Sequence, residues 1–358
     1  MKKVIFTGGG SGGHVIPALT LINELKKHKV KIAYIGSEKA IESELVPKNK
    51  IEYYAIKTGK LRRYFSWQNF TDIFRLSIGI IQVFIILLKE GGKKNVLVFS
   101  TGGYISVPVA IACKLLGVDL YIHEQTSRVG LANKIASRFA RKVFISFEQS
   151  KDFFPSSKVI HSGYPIREEF FKSYIRSDIT VKGRALQSKL PLLFITGGGN
   201  GSLLINQKIE SVIDELKRNY QVVHQVGAQF AQHFEQYNDE NYISTDFIGP
   251  EMAALFNCAD VIISRSGAGT VAELMAMRKR SIFIPLKIAQ KNEQFHNAMA
   301  AKNALGSWVI EEDHFKEIEL LSTLKDFCES TPEVTSEQGD LESFSRARQF
   351  LVDQILRT

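Results

Sequence analysis

Residues 6–12, Phe-Thr-Gly-Gly-Gly-Ser-Gly, return as Ile-Thr-Gly-Gly-Gly-Asn-Gly at 195–201. Each copy follows a short apolar run and precedes a helical pattern, as a buried strand turning into a helix does. Glycine is needed at such a turn because the backbone must fold tightly and approach its neighbours or a ligand closely. Between the copies strand and helix patterns alternate: 3–6, 15–27, 31–35 and 96–99 in the first half, 192–195, 221–226, 260–264, 268–277, 281–284 and 293–302 in the second. This is the rhythm of parallel sheets covered by helices. The expected fold class is therefore α/β, with two Rossmann-like doubly wound domains facing across a cleft. The boundary is placed in the polar stretch after Gly163-Tyr164-Pro165, where strand character lapses until residue 192. That gives 1–163, 164–340 and a last helix, 341–358, expected to pack back on the first domain.

A chain of 358 residues suits two domains, and 44% apolar with 23% charged residues excludes disorder and fibrous repeats. Cys113, Cys258 and Cys328 lack the paired spacing of a zinc site or a secreted disulfide framework, which points to a reducing cytoplasm. The apolar start before Gly8 is too short for a signal-peptide core. The greasiest window, 76–88, is interrupted by Ser77, Gly79 and Gln82, whereas a spanning helix takes about 20 apolar residues; no segment is predicted to cross a bilayer, though one can lie on it.

The net charge of +9 is concentrated, with eight basic residues against two acidic ones in 57–94. Arg62, Arg63 and Arg75 alternate there with Trp67, Ile80, Ile81 and Phe84. Cations and aromatics on one amphipathic segment read as a contact with an anionic membrane surface. The alternative is a core helix with a solvated basic edge. No helix-turn-helix, finger or RNP-like pattern accompanies the charge, so nucleic acid is not expected as a partner.

Three constellations carry chemistry. The first turn, Gly8 to His14, satisfies G-x-G-x-x-G with Glu38 after the next strand, a weak dinucleotide signal. Any oxyanion suits the helix N-terminus that begins there. His14 stands at that N-terminus, where the dipole favours a neutral imidazole; it reads either as a general base toward a hydroxyl or as a packed capping residue. A second group, Gly102-Gly103-Tyr104 with Glu124-Gln125-Thr126, belongs at the same crest and offers groups for sugar hydroxyls. In the second half, Ile262 to Glu273 is a strand, a small-residue turn and a helix start. Ala268, Gly269 and Thr270 suit a diphosphate, and Glu273 can accept from a ribose diol. Gln294 and Asn297 could aim amides at a sugar.

Taken in order, residues 9–18, 102–108, 123–125 with 130–134, 265–268, and Gln294 with Asn297 resemble the MurG family of peptidoglycan N-acetylglucosaminyltransferases, enzymes of the two-domain GT-B fold. The likeness covers nearly the whole chain. It implies transfer of N-acetylglucosamine from its UDP donor to the muramoyl 4-hydroxyl of lipid I, with inversion, giving lipid II. It implies donor contacts at Arg167, Gly199, Ile248, Ala268, Gly269, Thr270, Val271, Ala272, Glu273 and Gln294, with Ser11, Gly12 and Gly13 closing over the donor. Acceptor contacts would be Gly102, Gly103, Tyr104, Glu124, Gln125, Thr126 and Asn133. Thr126 and Gly199 stand where the family often has asparagine and serine.

The resemblance also implies a peripheral protein at the cytoplasmic face of the bacterial membrane, working beside other cell-wall synthesis or division proteins. No metal or cofactor is expected, since the chain has no Asp-x-Asp motif and no metal-ligand spacing. Three rival readings remain at this stage: the same chemistry on another lipid acceptor such as a diacylglycerol, a nicotinamide-dependent oxidoreductase, and a non-catalytic membrane recruitment subunit.

Overall fold

The computed structural model describes residues 2–59, 68–187, 189–289, 292–334 and 339–358, with side chains at all of these except 68–73 and 339–340. The chain divides into two compact units, 1–166 with 342–358, and 167–341.

Unit 1 is built on seven strands: β1 (Lys3–Thr7), β2 (Ile32–Ser37), β3 (Glu52–Ile56), β4 (Val96–Ser100), β5 (Asp119–Glu124), β6 (Lys142–Ile145) and β7 (Val159–His161). They are parallel, in the order β3-β2-β1-β4-β5-β6-β7. Alternate residues of each strand enter opposite layers, as the two-residue period of a strand requires. Ile5, Ile35, Val98 and Ile122 pack with Val83 and Leu87 of the helix Gln68–Lys89 and Val109 of the helix Ser106–Leu116. Phe6, Tyr34, Phe99, Tyr121 and Phe144 fill the other layer, with Val15 and Leu21 of the helix Gly12–Lys26. The terminal helix Gly339–Leu356 closes that second layer through Leu351, Val352 and Ile355, and Phe344 meets Phe147 at 5.6 Å. Gly163 makes this docking possible: it has φ +72°, and a Cβ there would lie 2.5 Å from the Ser343 carbonyl oxygen.

In unit 2 the stretch expected to lack strands holds a small antiparallel hairpin, β8 (Thr180–Val181) with β9 (Arg184–Ala185). Lys182 and Gly183 both have positive φ, 48° and 74°, the geometry of a two-residue turn matched to strand twist. Strands of two residues are too short to leave a periodic signal. Six parallel strands follow: β10 (Leu192–Thr196), β11 (Gln221–Gln225), β12 (Tyr242–Thr245), β13 (Val261–Ser264), β14 (Ile282–Phe283) and β15 (Trp308–Val309), in the order β12-β11-β10-β13-β14-β15. In each unit the glycine turn leaves the strand at which the order reverses, β1 beside β4 and β10 beside β13. Ligands of open α/β sheets bind at these switch points.

Candidate active site

At the crest of unit 1 two glycine turns lie against each other. The Gly9 amide donates to the Gly102 carbonyl at 3.2 Å, and a Cβ on Gly103 would meet the Gly9 oxygen at 2.2 Å. Only glycine permits that approach. Gly10, at φ +86°, passes under the ring of Tyr104. The helix Gly12–Lys26 begins at once, its first bonds running from His14 N and Val15 N to the Ser11 carbonyl, so the Gly12 and Gly13 amides precede its ladder. Ser11 and Gly13 are exposed, and Ser11 makes no capping bond through its side chain.

His14 is half-buried at this crest. Its Nδ1 lies 2.9 Å from the Thr101 carbonyl oxygen and 3.2 Å from Gln125 Oε1, and the Thr101 hydroxyl donates to the His14 carbonyl at 2.7 Å. Behind it, Gln125 Nε2 donates to the His123 carbonyl at 3.0 Å and lies 3.2 Å from His123 Nδ1. His123 Nε2 lies 3.0 Å from the Gly163 carbonyl oxygen and 3.3 Å from the Ser146 hydroxyl. Burial lowers the His123 pKa to about 4, against a partly offsetting bond to Gly163, so the ring is neutral near pH 7.

The other expected acceptor residues divide. Gly103, Tyr104 and Thr126 are partly accessible. Glu124, Gln125 and Asn133 are buried and bonded internally: Glu124 accepts from the Thr126 amide and hydroxyl at 3.0 and 2.8 Å and from Asn133 Nδ2 at 3.0 Å. They shape the crest beneath Gly102, whose added Cβ would sit 3.1 Å from the His14 ring.

Glu42 is the residue that motif reading missed here. Fully buried, it accepts from the Gly10 amide at 3.0 Å and from the Ser37 hydroxyl at 2.6 Å. Glu38, the acidic residue of the dinucleotide pattern, is exposed. Glu42 takes the Gly10 amide that a pyrophosphate would use, which disfavours the nicotinamide reading. The helix start Ile41-Glu42 just after a strand is the signal that could have found it.

The helix Gln68–Lys89 shows two faces. Val83 and Leu87 are buried, Phe84 packs partly into the core, and Gly79 lets the helix approach the Lys57 carbonyl. On the opposite side Phe74, Ile81, Ile85 and Leu88 are 69%, 59%, 46% and 53% exposed, at spacings that place them on one stripe. Arg75 and Lys89 are exposed beside them. The outward apolar residues are thus Phe74, Ile81, Ile85 and Leu88; Phe84 turns inward and Ile80 is half-buried, because the inner stripe must meet the helix Ser106–Leu116. Arg62, Arg63 and Trp67 lie outside the described residues. No helix among the described residues is long and apolar enough to cross a membrane.

Unit 2 carries a cleft of about 880 Å³ lined by the turn 197–201, Arg265, Gly267, Thr270 and Gln294. The helix Ala268–Ala276 starts there without a side-chain cap, and its first bond runs from Val271 N to Gly267 O. The amides of Ala268, Gly269 and Thr270 therefore precede the ladder and suit an oxyanion. Val271 and Ala272, expected among the donor contacts, are fully buried, and the Val271 amide is already bonded; the helical period turns both into the core. Gly198, at φ +83°, and Gly199 have open space where a Cβ would stand. Gly201 is packed so closely that a Cβ would meet the Val226 carbonyl. Ile248 is buried, while its neighbour Phe247 is exposed.

Glu273 Oε1 pairs with Arg167 at 3.2 Å, and Arg167 also reaches Glu169 at 3.2 Å and lies over the Phe170 ring. Burial raises the Glu273 pKa to about 7, with Arg167 pulling the other way. Gln294 Oε1 accepts from the Leu286 amide at 3.0 Å, and Asn297 Nδ2 donates to the Ser266 carbonyl at 3.2 Å, so the latter braces the turn. Arg265, the first residue of the motif at 265–268, braces this crest. Its guanidinium joins the Ser202 hydroxyl at 2.7 Å, the Ile284 carbonyl at 3.0 Å and Glu312 at 2.7 Å, tying the two turns of this crest together. Glu312 carries no sequence signal for that role.

Solved structures share this architecture. MurG of Acinetobacter baumannii aligns over 100% of both chains with a TM-score of 0.71 at 22% identity, and UDP-GlcNAc 2-epimerase of Methanocaldococcus jannaschii over 99% of this chain and all of its own with a TM-score of 0.62 at 12% identity. The class is accordingly the GT-B fold. Residues 4–145 match the glycosyltransferase family 28 N-terminal domain and residues 192–349 its C-terminal domain. The UDP-N-acetylglucosamine–N-acetylmuramyl-(pentapeptide) pyrophosphoryl-undecaprenol N-acetylglucosamine transferase of Clostridium kluyveri is 38% identical over 330 residues, 91% of each chain. Its counterpart in Clostridium perfringens strain SM101 is 38% identical over 332 residues, 90% of this chain and 89% of that one. The chain belongs to glycosyltransferase family 28, among these N-acetylglucosamine transferases.

Proposed function

We propose that the protein transfers N-acetylglucosamine from UDP-N-acetylglucosamine to the 4-hydroxyl of the muramoyl sugar in N-acetylmuramyl-(pentapeptide) pyrophosphoryl-undecaprenol, with inversion at the anomeric carbon. The observation that carries this is the unit 2 cleft, where an uncapped helix start with Thr270 faces the open glycine turn 197–201 and Gln294, with the Arg167–Glu273 pair one turn further along the same helix. The amides of residues 268–270 and the Thr270 hydroxyl take the diphosphate; Glu273 takes the ribose hydroxyls, and the backbone near Ile248 borders the base. Gln294 takes sugar hydroxyls, with open backbone at Gly199 beside it.

The acceptor oxygen attacks the anomeric carbon as the bond to the diphosphate breaks and its electrons leave with UDP. His14 removes the acceptor's proton in the same step. Charge building on the departing diphosphate is met by fixed amide dipoles, which need no reorganisation when the reaction occurs. Gly102, Gly103, Tyr104 and Thr126 border the acceptor sugar, while Glu124 and Asn133 hold that crest in shape. The exposed stripe Phe74, Ile81, Ile85 and Leu88, flanked by Arg75 and Lys89, rests on an anionic membrane surface, in keeping with a lipid-linked acceptor. On this reading the protein is peripheral and works at the cytoplasmic face.

A transfer assay with UDP-N-acetylglucosamine and a water-soluble analogue of the muramoyl acceptor tests the reading. Product should form with that acceptor and not with diacylglycerol, and His14→Ala should lower kcat by about 10² to 10⁴ with donor KM little changed. Turnover on diacylglycerol alone, or a fully active His14→Ala, would overturn it.

A further inference from the structure

The chain of contacts behind His14 begins and ends on groups whose polarity is fixed. Backbone carbonyls only accept, so the Thr101 oxygen, 2.9 Å from His14 Nδ1, requires a proton on that nitrogen. At the far end the Gly163 oxygen, 3.0 Å from His123 Nε2, likewise requires Nε2–H on His123. His123 is buried and neutral near pH 7, so its Nδ1 is left as an acceptor. Between them stands the amide of Gln125. Its Nε2 faces two acceptors, the His123 carbonyl at 3.0 Å and His123 Nδ1 at 3.2 Å, so the NH₂ end must point there. The oxygen end then faces His14 Nδ1 at 3.2 Å and adds a second acceptor for the same proton. Every group in the series has one compatible orientation.

We infer that Gln125, oriented by His123, is a positioning residue that holds His14 as the Nδ1–H tautomer and so leaves the Nε2 lone pair as the proton acceptor. This deepens the proposed role of His14 and rests on it. The other tautomer would set two carbonyl-type oxygens against a bare nitrogen and move the proton to the atom that must receive one. Gln125 therefore works through His14. Its side chain is enclosed, only 2% of the residue being exposed, and its polar atoms are engaged inside unit 1.

The tautomer can be read without turnover. In ¹⁵N-labelled full-length protein at about pH 8, where an ordinary imidazole is neutral, the His14 resonances, assigned by their loss in His14→Gln, should show a proton bonded to Nδ1 and an unprotonated Nε2. A proton on Nε2 would overturn the inference and leave the base role to be judged separately by His14→Ala kinetics. Gln125→Met, close in size but without the amide, should lower kcat about tenfold, the effect of one lost hydrogen bond. It should leave donor KM unchanged and bring up a minor Nε2–H population at His14, the Thr101 carbonyl still holding the rest as Nδ1–H. Wild-type kcat with an unchanged tautomer in that variant would remove Gln125 from the mechanism.

Discussion

Glu273 is held between opposing influences, burial that favours its neutral acid and Arg167 that favours its anion, with burial the stronger. The sign has a consequence for both stability and binding. Between the ordinary value near 4.5 and about 7 the folded protein holds a proton that the unfolded chain has released, so this group's contribution to stability falls as pH rises through that window. Donor affinity should move the other way, because ribose hydroxyls donate best to the ionised carboxylate. UDP binding measured by calorimetry should strengthen about tenfold from pH 6 to pH 8, following the ionised fraction of an acid with a pKa near 7. Glu273→Gln should bind more weakly and lose that part of the pH dependence. A wild-type slope in the variant would take Glu273 away from the ribose. The place of Glu273 was legible in the sequence, one turn into a helix after a small-residue turn. Its partner Arg167 was legible only through the family likeness, since 106 positions separate the two.

Among the elements, the helix Gln68–Lys89 best shows how far pattern reading reaches. Its composition indicated too much apolar surface for one buried face, and the structure divides that surface between the core, at Val83 and Leu87, and an exposed stripe. Which residues face which way depended on where Gly79 lets the helix touch its neighbours, a contact that is not local in sequence. Replacing Ile81, Ile85 and Leu88 with Ser should release the protein from anionic vesicles in a flotation assay while leaving its circular dichroism unchanged. The three residues are all exposed, so each change removes little folded-state burial. Retention on vesicles would refute the membrane contact. The glycine turns were legible because much of their requirement is local: positive φ or close backbone approach selects glycine at Gly10, Gly103, Gly198 and Gly201. Glu42 and Arg265, which brace those turns from other elements, left only faint marks.

For the molecule as a whole, each unit contains one imidazole locked neutral by burial, His123 in unit 1 at about 4 and His224 in unit 2 at about 3. His224 Nδ1 bonds Tyr242 at 2.8 Å, while its Nε2 is buried without a partner among the described residues. Both values lie below the ordinary 6.5, so the unfolded chain binds more protons, and stability is lost as pH falls below 6.5 toward those values. By pH 5 each ring should cost its unit about 2 kcal/mol, seen as a lower urea midpoint than at pH 7. In His224→Phe the loss should shrink for unit 2 alone; an unchanged pH dependence would show that carboxylates govern acid unfolding instead. The sequence by itself determined the two α/β sheets, the glycine turns at their switch points and the residue types gathered there. Those follow from strand period, helix period and backbone conformation, all set by near neighbours. Only the tertiary structure decided that Gln125 serves His14, that Glu42 braces Gly10, and which stripe of the apolar helix faces outward. Each depends on groups far apart in the chain being brought within about 3 to 4 Å, the range over which hydrogen bonds and packing act.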